Sequence, residues 1–151
     1  DAADADGAWT SGSAIVEAQS GQVFYGVSQC VPVASERYRF GALTRLASGD
    51  PIDPMAFAQV QFYSSTNCST GAIGSELFST TVEGDTAGEW LPFDGSELAP
   101  GTARSAYVSF LLDIGAVADF DAYLDNLYFQ PIGAIIFSSG FETGGLEEWA
   151  E

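Results

Sequence analysis

The ten residues Arg37-Tyr-Arg-Phe-Gly-Ala-Leu-Thr-Arg-Leu46 alternate in character, and this alternation constrains the fold more than any other feature. A period of two puts Tyr38, Phe40, Ala42, Thr44 and Leu46 on one face of an extended strand. Arg37, Arg39, Gly41, Leu43 and Arg45 take the other. The same period runs through residues 103–113, with Ala106, Val108, Phe110 and Leu112 on one side and Tyr107, Ser109, Leu111 and Asp113 on the other. Residues 56–64 repeat it: Ala58, Val60 and Phe62 look inward, and Phe57, Gln59, Gln61 and Tyr63 look out. Further strands are predicted over residues 12–17, 23–33, 77–82, from Trp90 onward, and over 121–129. A polar loop covers 64–74, and Gln130-Pro-Ile-Gly133 reads as a turn with proline at its second position. Eight or nine short strands at regular spacing, with no long run of helix formers, predict an all-β, two-sheet antiparallel β-sandwich.

The end of the chain is unusual. Ile135-Ile136-Phe137 is too apolar for a solvated end and reads as another strand. The expected organisation is a sandwich over residues 1–133, with residues 134–151 as a strand that completes the same sandwich or a neighbouring one.

Charge and missing residue types exclude whole classes of chemistry. Twenty-one acids face four arginines, with no lysine and no histidine, for a net charge of −17. Such a surface repels phosphate backbones, so neither nucleic acid nor an anionic membrane is expected as a partner. It suits divalent cations or salty surroundings. Without histidine there is no Ser-His-Asp or Cys-His nucleophile and no imidazole metal site. Three of the four arginines share one face of one strand; they are expected to solvate an outer face and pair with acids, gripping an acidic neighbour being the functional alternative. Cys30 and Cys68 are expected to form a disulfide, with two buried thiols as the alternative. A bridge closing that loop would contribute roughly 3–4 kcal/mol and imply an oxidising, secreted setting. No signal peptide or spanning helix is visible, so the chain reads as a processed form. Asn67-Cys68-Ser69 matches a glycosylation sequon.

Several short motifs together resemble a known family. Gly12-Ser-Ala14, Gln29-Cys-Val-Pro-Val33, Arg37-Tyr-Arg-Phe40, Glu89-Trp90, Ala99-Pro-Gly101 and Ala122-Tyr-Leu-Asp-Asn-Leu-Tyr-Phe129 occur in the order seen in galactose-binding-like jelly-roll carbohydrate-binding modules of secreted bacterial proteins. The resemblance covers most of residues 8–129. That family opens on a strand written Gly-Phe-Glu, a glycine-rich turn and a tryptophan. Here Gly140-Phe141-Glu142, Gly144-Gly145 and Trp149 stand at the end instead. The resemblance therefore implies a first strand displaced to the C-terminus, with Ile135, Ile136, Phe137, Phe141 and Trp149 as its docking residues. It also implies a structural calcium held by Asp125 and Glu142, and tryptophans 90 and 149 that pack in the core. Asp125 shares strand parity with Tyr123, Leu127 and Phe129 and so is expected on an apolar face.

Two non-catalytic functions follow. In the main expectation, the chain is a secreted subunit that self-assembles head to tail by passing its C-terminal strand into the next copy. In the alternative, the tail folds back and the protein is a glycan-binding module. Phe57, Gln59, Gln61 and Tyr63 then form the binding face and Trp9 adds a platform, since rings stack on sugars while amides bond hydroxyls. An enzyme that hydrolyses glycans with acids near Asp121 is the least supported reading, because no glycosidase motif is present.

Overall fold

A computed structural model describes residues 14–18, 24–46, 54–113 and 120–132. Within them lie nine strands: β1 (Ala14–Ala18), β2 (Phe24–Pro32), β3 (Arg37–Leu46), β4 (Met55–Tyr63), β5 (Ala72–Phe78), β6 (Val82–Glu83), β7 (Leu91–Leu98), β8 (Ser105–Asp113) and β9 (Phe120–Pro131). They form two antiparallel sheets, β1-β9-β3-β7 and β2-β8-β4-β5, with β6 paired to β4. This is the all-β sandwich that the alternation predicts. No helix among the described residues is long and apolar enough to cross a membrane.

The core is built from the inner rows. Tyr38, Phe40, Ala42, Thr44 and Leu46 of β3 are all buried, as their period requires. They face the inner rows of the second sheet, Ala56, Ala58, Val60 and Phe62 from β4 and Ala106, Val108, Phe110 and Leu112 from β8. Tyr38 stacks on Phe129 with ring centroids 4.7 Å apart. Its hydroxyl is not stranded: it accepts the Ala34 N–H at 2.9 Å and donates to Glu36 Oε1 at 3.2 Å. A buried phenol needs such partners, since an unmade hydrogen bond there costs about 1–3 kcal/mol.

Three boundaries differ from the prediction. The polar loop expected over 64–74 ends early, because β5 already starts at Ala72. The strand expected over 77–82 ends at Phe78. Beyond it the Ser79 N–H donates to Ala58 O at 2.9 Å and the Thr80 N–H to Asp94 O at 2.8 Å. The chain is there stepping from β4 to β7, one sheet to the other, and cannot continue a ladder. The turn expected at residues 130–133 starts later. Gln130 and Pro131 still pair with Arg39 and Tyr38, and the Ile132 N–H donates to Arg37 O at 2.8 Å. Proline is tolerated at a strand end, where its missing N–H interrupts nothing further along.

The pairing of β9 with β3 contains a bulge. Gly41 lies opposite Tyr128, but Leu43 lies opposite Asp125, so β9 carries one extra residue between them. Asn126 takes it up with φ of 51°. Asparagine is among the few residues that enter the left-handed region at modest cost. The extra residue reverses the parity of β9. Ala122 and Leu124 face the core before it; Leu127 and Phe129 face the core after it. Asp125 therefore does not share a face with Leu127 and Phe129, contrary to the strict alternation assumed from sequence. It pairs with Leu43 on the side of Tyr123 and is 2% exposed.

Cys30 and Cys68 form the expected disulfide, with Cα atoms 5.9 Å apart. Cys30 pairs with Tyr107 of β8, and Cys68 belongs to the loop after β4. The bridge thus crosses β8. Ser105 fixes the crossing: its Oγ donates to Ser65 O at 2.7 Å and accepts the Cys68 N–H at 3.3 Å. A disulfide is consistent with an extracellular protein. Ile135, Ile136, Phe137, Phe141 and Trp149, expected to form a C-terminal strand, lie outside the described residues together with Trp9, and the described residues show no strand exchange or permutation.

The bulge and the bridge each generate a measurable outcome. In urea unfolding, Asn126→Gly should be close to neutral, whereas Asn126→Val should cost about 1–2 kcal/mol because a β-branched side chain resists positive φ. Replacing both cysteines by serine should cost about 2–4 kcal/mol.

Candidate functional site

The outer face of the five-stranded sheet carries a set of convergent rings and polar groups. Its rows follow from the register. Met55, Phe57, Gln59, Gln61 and Tyr63 of β4 lie opposite Asp113, Leu111, Ser109, Tyr107 and Ser105 of β8. On the other flank Phe78 of β5 lies opposite Gln59. The disulfide-bridged loop walls one end of this face. The other end opens into a pocket of about 260 Å³ lined by Met55, Phe57, Phe78, Thr81 and Asp113. Phe78 is 57% exposed and leans on Phe57, with ring centroids 5.8 Å apart and tilted by 58°. Phe57 itself is buried, so it forms the floor and Phe78 the wall. Asp113 and Thr81 complete a lining that is almost wholly apolar, and the Thr81 hydroxyl donates to Glu83 Oε1 at 3.3 Å.

The four predicted binding residues on β4 therefore share one face but not one role. Phe57 sits in the pocket and Gln59 beside it, opposite Phe78. Gln61 is buried, and its Nε2 donates to Phe62 O and Ile73 O, both at 3.1 Å. The register of β4 and β5 shifts at this position, and the amide fills the gap left in the ladder. Its N–H groups are committed to structure, not to a ligand. Tyr63 lies at the far end, by the bridged loop. Trp9 is outside the described residues. Sequence reading missed Met55, Phe78, Thr81 and Asp113. Alternation along β8 already aligns Asp113 with Leu111 and Ser109, so that residue was legible; Phe78 was not, because its position depends on the β4–β5 register.

The outer face of the four-stranded sheet is different in kind. Arg45 lies over the Tyr123 ring at 4.3 Å and over the Trp90 ring at 5.5 Å. Arg39 lies over Tyr128 at 5.6 Å. With the Gln130 amide oriented so that its oxygen faces the guanidinium, Gln130 accepts from Arg39 Nε at 2.6 Å and Nη2 at 2.5 Å. The expectation of pairing with acids is thus corrected: among the described residues these two guanidinium groups are held by rings and an amide. Trp90 is likewise not a core tryptophan. It is half-buried against Arg45, and Phe93 fills the core from that strand.

Of the two residues assigned to calcium, Glu142 lies outside the described residues. Asp125 Oδ1 accepts the Asn126 N–H at 2.7 Å, a bond that holds the bulge. No three His, Cys, Asp or Glu side chains gather into a metal-binding group among the described residues.

No protein-family model matches the sequence, and no curated protein matches it. Solved structures resemble the fold at low identity. The C-terminal family 22 carbohydrate-binding module of Clostridium thermocellum Xyn10B is 16% identical, with a TM-score of 0.54 over 82% of this chain and 75% of that one. The C-terminal domain of EclA, described as a sugar-binding protein, is also 16% identical, with a TM-score of 0.53 over 79% of both chains. The enzymatically active domain of bacteriophage CBA120 tailspike protein 4 has a TM-score of 0.56 at 9% identity, but this chain spans only 15% of its length. The chain thus has the sandwich fold of carbohydrate-binding modules.

Two tyrosines of the four-stranded sheet predict a pH dependence. Burial raises the Tyr128 hydroxyl above its usual 10.0, with Asp94 adding to the rise and Arg39 opposing it. Burial also raises Tyr38, where the Ala34 N–H opposes the rise and Glu36 adds to it. A raised folded value means the neutral phenol is favoured by folding. The stability it contributes is complete below pH 10 and lost as pH climbs through the raised values. Urea midpoints should fall above pH 10, and Tyr128→Phe should reduce the fall; an unchanged slope would contradict the assignment.

Proposed function

We propose that this chain is a non-catalytic glycan-binding module whose site is the outer face of the five-stranded sheet. The observation that carries the reading is the Phe57–Phe78 pocket. A solvated sheet face has no reason to hold a 57%-exposed phenylalanine against a buried one beside Met55, with Asp113 and Thr81 at the rim. Rings of this kind stack on the apolar faces of sugar rings, and rim carboxylates and amides bond the hydroxyls. The volume, about 260 Å³, lies just under the ~300–1,000 Å³ typical of small-molecule pockets. It suits one sugar unit at the end of a chain. Gln59 flanks that unit, and the polar residues Ser28 and Ser109 extend the face, their hydroxyls 2.9 Å apart.

The likeness to modules described as carbohydrate- or sugar-binding supports this reading over self-assembly. The tail on which assembly depended lies outside the described residues, and no described feature favours it. The disulfide supports a secreted setting.

Affinity electrophoresis and calorimetry against a panel of neutral polysaccharides test the proposal. The intact chain should be retarded by at least one of them and should release no reducing ends. Phe78→Ala should weaken binding at least tenfold, about 1.4 kcal/mol, while leaving the melting temperature close to that of the parent, since the ring is mostly exposed. A panel without a ligand, or a Phe78→Ala variant that binds as well, would refute the reading.

A further inference from the structure

We propose that the outer face of the four-stranded sheet is a second, separate site, which binds glycans bearing carboxylates, the uronic-acid class. It lies across the sandwich from the Phe57–Phe78 pocket and does not depend on it.

The first ground is charge placement. A chain with twenty-one acids has four arginines, and three of them, Arg37, Arg39 and Arg45, stand in one row of β3. A row that only needed solubility had acids in abundance to use. The second ground is how Arg39 and Arg45 are held. Each guanidinium lies on a ring, Arg39 on Tyr128 and Arg45 between Tyr123 and Trp90. Stacking fixes the guanidinium plane; Arg39 spends Nε and one Nη2 hydrogen on Gln130 and keeps its Nη1 end, whose paired N–H groups can fork a carboxylate end-on. The ordering entropy of a long side chain is then largely spent before a ligand arrives.

The third ground is shape. Arg39 and Arg45 are six residues apart, roughly 20 Å along a strand. Between them the outer row holds Gly41 and the half-buried Leu43. A Cβ at position 41 would collide with Phe93 O and come within 2.8 Å of the Tyr128 hydroxyl. Tyr128 consequently lies across the sheet between the two cations. Cation, ring and cation in line match a polymer that presents carboxylates and apolar ring faces in alternation. An acidic peptide offers the charges without the ring faces. A second copy of this chain carries seventeen net negative charges over its whole surface, whereas a short oligouronate carries one per sugar. Asp94, opposite Gly41 and close enough to raise Tyr128, leaves the strip short of uniformly cationic. It is positioned to accept from sugar hydroxyls between the charged ends.

The test compares short oligogalacturonates with neutral oligogalactosides and a sulfated galactan, by calorimetry on the intact chain. The uronate should bind in a manner weakened at least roughly tenfold by Arg39→Gln combined with Arg45→Gln. Arg45→Lys, which keeps the charge but not the fork, should lose part of the affinity with the fold unchanged in melting. Phe78→Ala should leave uronate binding intact, so that failure of the neutral-glycan site and failure of this one are distinguishable. If the glutamine pair melts early, Arg39→Gln alone decides, because Arg39 is exposed. Absence of uronate binding, equal binding by the arginine variants, or equal binding of neutral oligogalactosides at this face would overturn the proposal. Preference for the sulfated galactan would overturn the carboxylate assignment. Reversible dimerisation that is abolished by the same arginine variants, without uronate binding, would identify the occupant as a second copy instead.

Discussion

The fit of β9 against β3 governs most of what the molecule presents. β3 is paired on both sides, so its inner row is fixed in the core and its outer row is fixed in the open. β9 must follow that row while supplying Leu124, Leu127 and Phe129 to the interior. Their spacing cannot be met by plain alternation. The extra residue at Asn126 resolves the conflict, and its consequence is that Tyr123 and Tyr128 both reach the outer side although five positions separate them. The stacking of Arg45 and Arg39 depends on that shift. So does the burial of Phe129 against Tyr38, which anchors the core at the same end.

The two sheets divide the work of the fold differently. On β4 and β8 of the five-stranded sheet the outer residues are apolar, amide or hydroxyl apart from Asp113, and Glu83 of β6 lies opposite Met55 beside the pocket. On the four-stranded sheet the outer row is cationic and aromatic. Both faces share one interior of fully buried side chains, Phe40, Phe62, Phe93 and Phe110 among them. Burying an aromatic side chain contributes about 1.5–3 kcal/mol relative to leaving it exposed. The interior therefore supplies the stability that lets either outer face keep rings in contact with water.

Much of this was legible in the residues. The inner and outer rows of β3, β4 and β8 follow directly from alternation, and the disulfide from the cysteine count in a glycine- and serine-rich acidic chain. What sequence could not supply was register. Gln61 looks like a sugar-binding amide until the β4–β5 shift shows its N–H groups tied to Phe62 and Ile73 carbonyls. Phe78 looks like the start of a longer strand until its neighbours step across to the other sheet. Trp90 looks like core because the resembled family packs a tryptophan at that place, yet here the Arg45 guanidinium provides its surface. Asp125 was misplaced by the assumption of unbroken parity; the spacing of Leu124 and Leu127, three rather than two or four, is the trace the bulge leaves in the sequence.

The bridge across β8 also bears on how the chain finds this fold. Strand β8 lies between β2 and β4, and both precede it in sequence. Bringing Tyr107 beside Cys30 in the reduced chain closes a segment of 77 residues, 107 minus 30. With Cys30 joined to Cys68, the connecting path starts at position 68 and shrinks to 39 residues, 107 minus 68. Halving a loop reduces its closure entropy by about 0.6 kcal/mol. Oxidation thus shortens the search for the most distant pairing in the five-stranded sheet, an advantage in rate that is separate from the stability the bridge confers once the sandwich has closed.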